Sequence, residues 1–230
     1  MPRLSLLNGF ELEVDGASVE LSRPCQRLLA VVALNRASVA RSTVAGVLWP
    51  ERDERRSAAN VRSTLWRLPA EVRALVRPDQ HRISLDPSLR CDVDELVALA
   101  ARLVDTVPVA AADLRVGPLL HDLLPAWYDD WVVVERERLR QLRVHALEAL
   151  AARLRAESRF GESIEAGLAA VAAEPLRESA HRSLVETHLA EGNRTEAIRQ
   201  CDLYRRLLRH EMGVDASPLL DALERRALGR

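Results

Sequence analysis

The sequence predicts a mainly α protein: an N-terminal winged helix-turn-helix with a small antiparallel sheet, followed by an all-α tetratricopeptide-like helical repeat domain. Three observations carry that expectation. Short apolar/polar alternations flank three helical segments in the first ninety residues. The third of those segments, SAANVRSTLWRL (57–68), has a narrow apolar keel and a basic, small-residue outer side. Further on, RAESRFGESI (155–164) is echoed by LAEGNRTEAI (189–198) at an offset of 34 residues, the period of paired-helix repeats.

The elements follow in order. Leu4 and Leu6, then Phe10, Leu12 and Val14, alternate with other residues, and Val19 and Leu21 follow an Asp15-Gly16 turn. About three antiparallel strands are therefore expected over 3–21. Pro24 opens a helix, CQRLLAVVALN, apolar on more than one side and so predicted to be buried. Ser42 is expected to cap a second helix through Val44, Val47 and Leu48, ending at Trp49-Pro50. A charged loop, ERDERR, leads to the third helix, with Ser57 as its N-cap. At the α-helical repeat Val61, Leu65 and Leu68 face inward. Ala59, Ser63, Trp66 and Arg67 face outward, with Asn60 and Arg62 on the flanks. After Pro69, AEVRALV continues helically for about two turns. HRISLD (81–86) then reads as a strand. Two helices joined by a loop, the second with a basic face, fit helix-turn-helix organisation, and the following strand or hairpin would be the wing.

In the second half, Asp92 and Glu95 stand at capping-box spacing before Leu96, Leu99 and Leu103. A Pro- and Gly-containing connection runs from Pro108 to Pro125. From Trp127 a long amphipathic helix is expected, with Val133, Val134, Leu139, Leu142, Ala146 and Leu150 apolar. Glu135, Arg136, Glu137 and Arg138 read as its solvated, ion-paired face. Helical pairs are expected at 142–157 with 160–173 and at 177–191 with 194–210. Ser163 and Ala197 take the small packing positions, and LLDALERRAL forms a terminal cap. Val144 and His181 stand where such repeats commonly carry Trp.

At 230 residues and 48% hydrophobic content the chain has room for one or two domains. All 33 basic residues are Arg, the side chain best matched to phosphate and guanine edges. A net charge of −1 argues against a nonspecific polycation, but it hides an asymmetry. Residues 52–82 carry eight Arg against four acids, whereas residues 95–230 carry 19 Arg against 22 acids. Basic charge gathered on one segment is what a nucleic-acid contact requires. Cys25, Cys91 and Cys201 are far apart and form no CxxC pair, as expected of isolated thiols in a cytosolic protein. MPRLSLLNGFELEV lacks the apolar core of a signal peptide, and no run approaches the roughly 20 apolar residues of a membrane span. A cytoplasmic protein without a membrane partner is expected. His181 and His188 share a helix face but lie about 10 Å apart by rise, too far for one metal. Asp129-Asp130 and Asp92/Asp94 read as helix starts. No catalytic residues, metal or cofactor are expected, and no enzyme.

The segments RPCQRLLAVVALN, TVAGVLWPE and SAANVRSTLWRL, coming after strands, resemble the OmpR/PhoB-type winged-helix domain, in the version found in SARP (Streptomyces antibiotic regulatory protein) regulators. LLPAWYDDWVVVERERLRQLRVHALEAL, EPLRESAHRSL and LAEGNRTEAIRQCDLYRRLLRHEMGVDASP strongly resemble the bacterial transcriptional activation domain, the helical partner module of that family. The resemblance implies a winged-helix DNA-binding domain over 1–92 and an activation domain over 93–230. With no G-x-x-x-x-G-K-[ST] loop, the chain resembles the small two-domain members.

What the resemblance implies is a transcriptional activator whose partners are double-stranded promoter DNA, RNA polymerase holoenzyme and, as a homodimer, a second copy on direct repeats. Ala59, Asn60, Ser63 and Arg67 would face the groove, Arg67 reading guanine and Asn60 reading adenine or holding a phosphate. Arg62 and Thr64 would meet the DNA backbone, Arg55 and Arg56 would clamp phosphates, and Arg82, with His81, would supply the wing contact. Trp66 either faces DNA or packs on the wing or against Arg62. Pro69 stands where the family continues with a basic residue, and the wing lacks the family's Gly-Tyr. Two other readings stay open: an ordinary surface helix with a polar outer side, and a helical-repeat scaffold for a protein or small ligand that has lost DNA binding.

Overall fold

The computed structural model describes residues 1–35, 38–105 and 109–229. Pro108, where the long connection was expected to begin, lies outside the described residues. The chain forms two compact units. One comprises Met1–Leu96 with Asp122–Arg136, the other Val97–His121 with Glu137–Arg230.

In the first unit, β1 (Arg3–Ser5), β2 (Glu11–Val14) and β3 (Ala17–Ser18) form the expected antiparallel meander. Asp15 and Gly16 both adopt positive φ, 51° and 81°, as a tight hairpin turn demands. Then come α1 (Arg23–Leu34), β4 (Ser38–Ala40), α2 (Arg41–Leu48), α3 (Glu54–Trp66), α4 (Ala70–Arg73), β5 (Val76–Pro78), β6 (Arg82–Leu85) and β7 (Arg90–Cys91). β7 adds a fourth strand, parallel to β1 with Leu4 opposite Cys91. A second sheet has the order β4-β6-β5, with Val39 opposite Ile83 and Val76 opposite Leu85. α1 is buried almost all round, as its apolar sequence predicts, and packs against α2, α3 and β6.

Three local expectations are corrected. α2 starts from Ala40, not Ser42, because β4 runs straight into it. The segment after Pro69 makes only the single turn of α4. Val76 leaves the helix because it pairs with Leu85, turning the wing into a β5–β6 hairpin. Asp92 and Glu95 do not close a capping box on each other. Asp92 accepts hydrogen bonds from the Leu6 and Leu7 amides, and Glu95 pairs with Arg3 at 3.0 Å.

α5 (Asp92–Val104) and α6 (Asp130–Ala156) follow, separated by two single 3-10 turns. The start of α6 and the residues before it belong to the first unit. Trp127 stacks on Phe10, centroids 6.0 Å apart, and the Arg23 guanidinium lies 3.5 Å from the Trp127 ring. Asp129 pairs with Arg23 and Arg27 at 3.3 and 2.6 Å. Arg136, expected on a solvated face, instead donates to the carbonyls of Leu123, Leu124 and Trp127. Val133 and Val134 are exposed. Val132 is the buried valine of that turn, so the apolar stripe is rotated from the one the periodicity suggested.

The second unit stacks α7 (Phe160–Ala173), α8 (Glu178–Glu191), α9 (Arg194–Met212) and α10 (Pro218–Leu228), each packed on the next. Its last core cluster gathers Val185, Ala197, Cys201, Tyr204, Leu208, Leu220, Leu223 and Ala227, so α10 does cap the stack. Ser163, the counterpart of Ala197 one repeat earlier, is fully buried. It hydrogen-bonds the Ala151 carbonyl at 2.8 Å and the Thr187 hydroxyl at 2.9 Å. At Gly167 α7 packs tightly on α8: a Cβ there would sit 2.6 Å from a methyl of fully buried Leu184. Gly167→Val is therefore expected to cost about 1–3 kcal/mol by overpacking. A urea melt of the purified variant that matches wild type would refute the close approach.

His181 fills the position where a Trp was the alternative. It is buried, 2.9 Å from the Pro175 carbonyl and 2.7 Å from Gln200 Nε2, with its ring against Tyr204. Burial lowers its pKa below the ordinary 6.5, against the weaker opposing pull of the Pro175 carbonyl and Glu178. The unfolded chain thus takes up this proton first. Stability from neutral His181 is full above pH 6.5 and is lost as pH falls toward the lowered value. The melting temperature is expected to drop between about pH 7 and pH 5, with a smaller drop in His181→Gln. An equal drop in both would remove His181 as the cause.

Candidate nucleic-acid interface

The recognition-helix candidate is longer at its start than the sequence suggested. Asp53 is the N-cap, accepting from the Arg56 amide at 2.9 Å, so Arg55 and Arg56 lie in the first turn of α3 and not in a loop. Ser57 is not a cap. It is buried inside the helix, donating its hydroxyl toward the carbonyls of Trp49, Arg52 and Asp53. The buried stripe is Ser57, Val61, Thr64 and Leu68, at helical spacing, with Leu65 half-buried beside it.

That phase decides where each candidate side chain stands. Arg55, Arg56, Ala59, Arg62, Ser63, Trp66 and Arg67 are exposed, and Asn60 is half-buried. Thr64 is the exception. At 3% exposure it belongs to the keel, next to Cys25, whose thiol lies 3.8 Å from the Thr64 carbonyl. Its expected contact with a DNA backbone is therefore withdrawn. Arg56 makes an exposed 3.4 Å pair with Asp53. Among the described residues, Arg55, Arg62 and Arg67 have neither a side-chain hydrogen bond nor an ion pair. Small Ala59 and Ser63 stand between these guanidiniums, leaving the helix surface low where a groove floor would approach.

Pro69 ends α3 at Trp66, with Arg67 as C-cap. A helix end leaves carbonyls without partners, and Arg73, which sequence reasoning overlooked, supplies them. Its Nη2 donates to Trp66 O at 2.7 Å and Leu68 O at 2.9 Å. A basic residue four positions after the breaker was the available signal. Trp66 is 77% exposed. The guanidinium of Arg73 lies over its ring, 5.7 Å from the centroid, where Arg62 was the expected neighbour.

The wing is a short hairpin with Asp79, Gln80 and His81 at its tip. Asp79 accepts the His81 and Arg82 amides, both at 2.7 Å, and those bonds hold its carboxyl below the usual pKa. Arg82 is exposed, but its Nε and Nη2 donate to the hydroxyl and carbonyl of Ser38 on β4. Its role at the tip is first to tie two strands of the sheet together. His81, whose carbonyl accepts the Arg41 amide at 2.8 Å, is exposed beside it.

Among the described residues no group of three His, Cys, Asp or Glu is placed to hold a metal ion. Cys91 and Cys201 are buried, with pKa values pushed up to about 12 and about 11, chiefly by burial, so both thiols stay protonated. No helix among the described residues is long and apolar enough to cross a membrane.

Residues 92–228, more than half of the chain, match the family model described as bacterial transcriptional activator domain. No curated protein matches the chain. Among solved structures it is similar to Mycobacterium tuberculosis EmbR in complex with a low affinity phosphopeptide. That similarity has a TM-score of 0.77 and 23% identity over 99% of this chain. The chain spans 65% of that structure's length, and the likeness is one of fold. The chain belongs to the bacterial transcriptional activator domain family.

Proposed function

We propose that the chain binds promoter DNA sequence-specifically through α3 and activates transcription by bringing its helical repeat unit to RNA polymerase or to a second copy of itself. The observation that carries this reading is the outer face of α3, where Arg55, Arg62 and Arg67 stand exposed around Ala59 and Ser63, without partners among the described residues. In this reading Arg67 pairs with a guanine edge, Asn60 reads adenine or holds a phosphate, and Arg62, Arg55 and Arg56 hold phosphates. Arg82 steadies the wing, and its remaining Nη1 is the atom it can offer to DNA. Residues 50–56, the exposed approach to α3 and its first turn, are a second surface polymerase can use.

Fluorescence anisotropy on labelled promoter fragments tests the reading. Binding is expected to prefer particular fragments and to weaken steeply between about 50 and 200 mM salt, as counterion release requires. Absence of any salt-sensitive binding would overturn it and return the repeat unit to the role of a scaffold.

A further inference from the structure

An apolar cleft of about 300 Å³ lies between the C-terminal half of α3 and the wing. Leu65, Trp66, Val76 and Pro78 supply its walls, and Arg41, Arg62 and Arg73 bring guanidiniums to it. Two of these cations have other business or none: Arg73 caps α3, and Arg62 has no partner among the described residues. Arg41 is the third, and its Nε is buried with no hydrogen-bond partner among the described residues. An apolar slot lined by three guanidinium-bearing side chains is a poor site for a cation. It is complementary to a small molecule with a flat apolar body and one oxyanion.

We propose that this cleft binds a small aromatic anion, one or two fused rings bearing a carboxylate or sulfonate. The ring system lies against Trp66, Leu65 and Val76, and the oxyanion accepts from Arg41. A volume of about 300 Å³ is at the small end of ligand sites, which sets the limit of two rings. A guanidinium–oxyanion bond in such surroundings is charge-assisted and geometrically selective. Because α3 and the wing form the two walls, an occupant would bear on the surface assigned to DNA. The binding itself needs no DNA, so the test below stands or falls apart from the DNA reading.

The probe is anilinonaphthalene sulfonate, titrated into the full chain without DNA and followed by its own fluorescence and by the indole N–H resonances of nitrogen-15-labelled protein. The Trp66 resonance is identified by its absence in Trp66→Ala. Saturable one-to-one binding that shifts the Trp66 resonance is expected. A loss of affinity of about ten-fold or more is expected both in Arg41→Met and for the uncharged probe phenylnaphthylamine. Should Arg41→Met fail to fold by circular dichroism, Trp66→Ala decides, since its exposed indole can be removed without touching the core. A comparable loss is expected there. Non-saturable binding, an unmoved Trp66 resonance, or equal affinity for the uncharged probe would overturn the assignment.

Discussion

Replacing Arg62 and Arg67 together by Ala is expected to weaken DNA binding about ten-fold or more and to relax its sequence preference, while leaving the protein as stable as before. Both side chains are exposed and unpaired among the described residues, so the folded state loses no contact with them. Surface changes of that kind usually stay within about 0.5 kcal/mol of wild type. The Arg67 side chain can also go without touching the helix end. The C-cap there uses the Arg67 backbone, and the carbonyls of Trp66 and Leu68 are held by Arg73. Losing a bidentate guanine contact costs about 1–3 kcal/mol and relaxes specificity at that base, whereas losing a phosphate contact lowers affinity on all fragments and reduces the salt slope by about one. The single variants therefore separate the two roles. Arg67→Ala should flatten the preference between fragments, and Arg62→Ala should flatten the salt dependence. Anisotropy across fragments and salt concentrations reads both. Wild-type affinity in the double variant would leave α3 an ordinary surface helix.

Periodicity went far in this chain, and its failures share a cause. The all-round apolar pattern of CQRLLAVVALN became the buried α1, and the 34-residue echo became stacked helices in which Ser163 and Ala197 are both fully buried. On α3, however, the sequence reads Ser57 as an N-cap and Thr64 as a contact to the DNA backbone. They line the keel because a small hydroxyl can return its hydrogen bond to the helix's own carbonyls, as Ser57 does with Asp53 at 2.9 Å. A pattern scored by hydrophobicity cannot see this. The same blindness affected Arg136, whose guanidinium is consumed by three carbonyls, and Arg82, which is tied to Ser38. Arginine's five donors serve backbone as readily as phosphate, and only tertiary position tells the two uses apart. The second strand of the wing was legible, but its partner β5 was not. Val76 to Pro78 carry a proline and too few residues for alternation to register, and their pairing with β6 is what makes them a strand.

The largest stability effect is expected from a residue that carries no candidate function. Asp92→Ala should destabilise the first unit by about 2–4 kcal/mol, because it orphans two backbone amides. β1 ends at Ser5, and β7, its parallel neighbour, is only two residues long. Beyond that point the Leu6 and Leu7 amides have no strand to pair with. The Asp92 carboxylate takes their place, accepting from Leu6 N at 2.9 and 3.0 Å through its two oxygens and from Leu7 N at 2.9 Å. Leu6 is fully buried, so its amide has no access to water as a substitute. Burial pushes the carboxyl's pKa above its ordinary 3.8, and the amides of Leu6, Leu7 and Val93, with the charge of Arg3, pull it back only in part. For an acid raised in this way, the folded state binds the proton more readily than the unfolded chain. Its stabilising contribution is full below pH 3.8 and is eroded as pH rises through the raised value. At neutral pH, then, the bond geometry favours the carboxylate while its charge works against the fold. Asp92→Asn keeps an acceptor oxygen and removes the charge, so it should lose clearly less than Asp92→Ala. Its stability curve should also lack the pH dependence assigned to this group. Urea melts of the three proteins at neutral pH, repeated near pH 4, separate the two contributions. If Asp92→Ala came within about 0.5 kcal/mol of wild type, the range of ordinary surface changes, the end of β1 would have to be held by its other ties. Those are Leu124 N to Leu6 O at 2.9 Å and Asn8 N to Asp122 O at 2.7 Å.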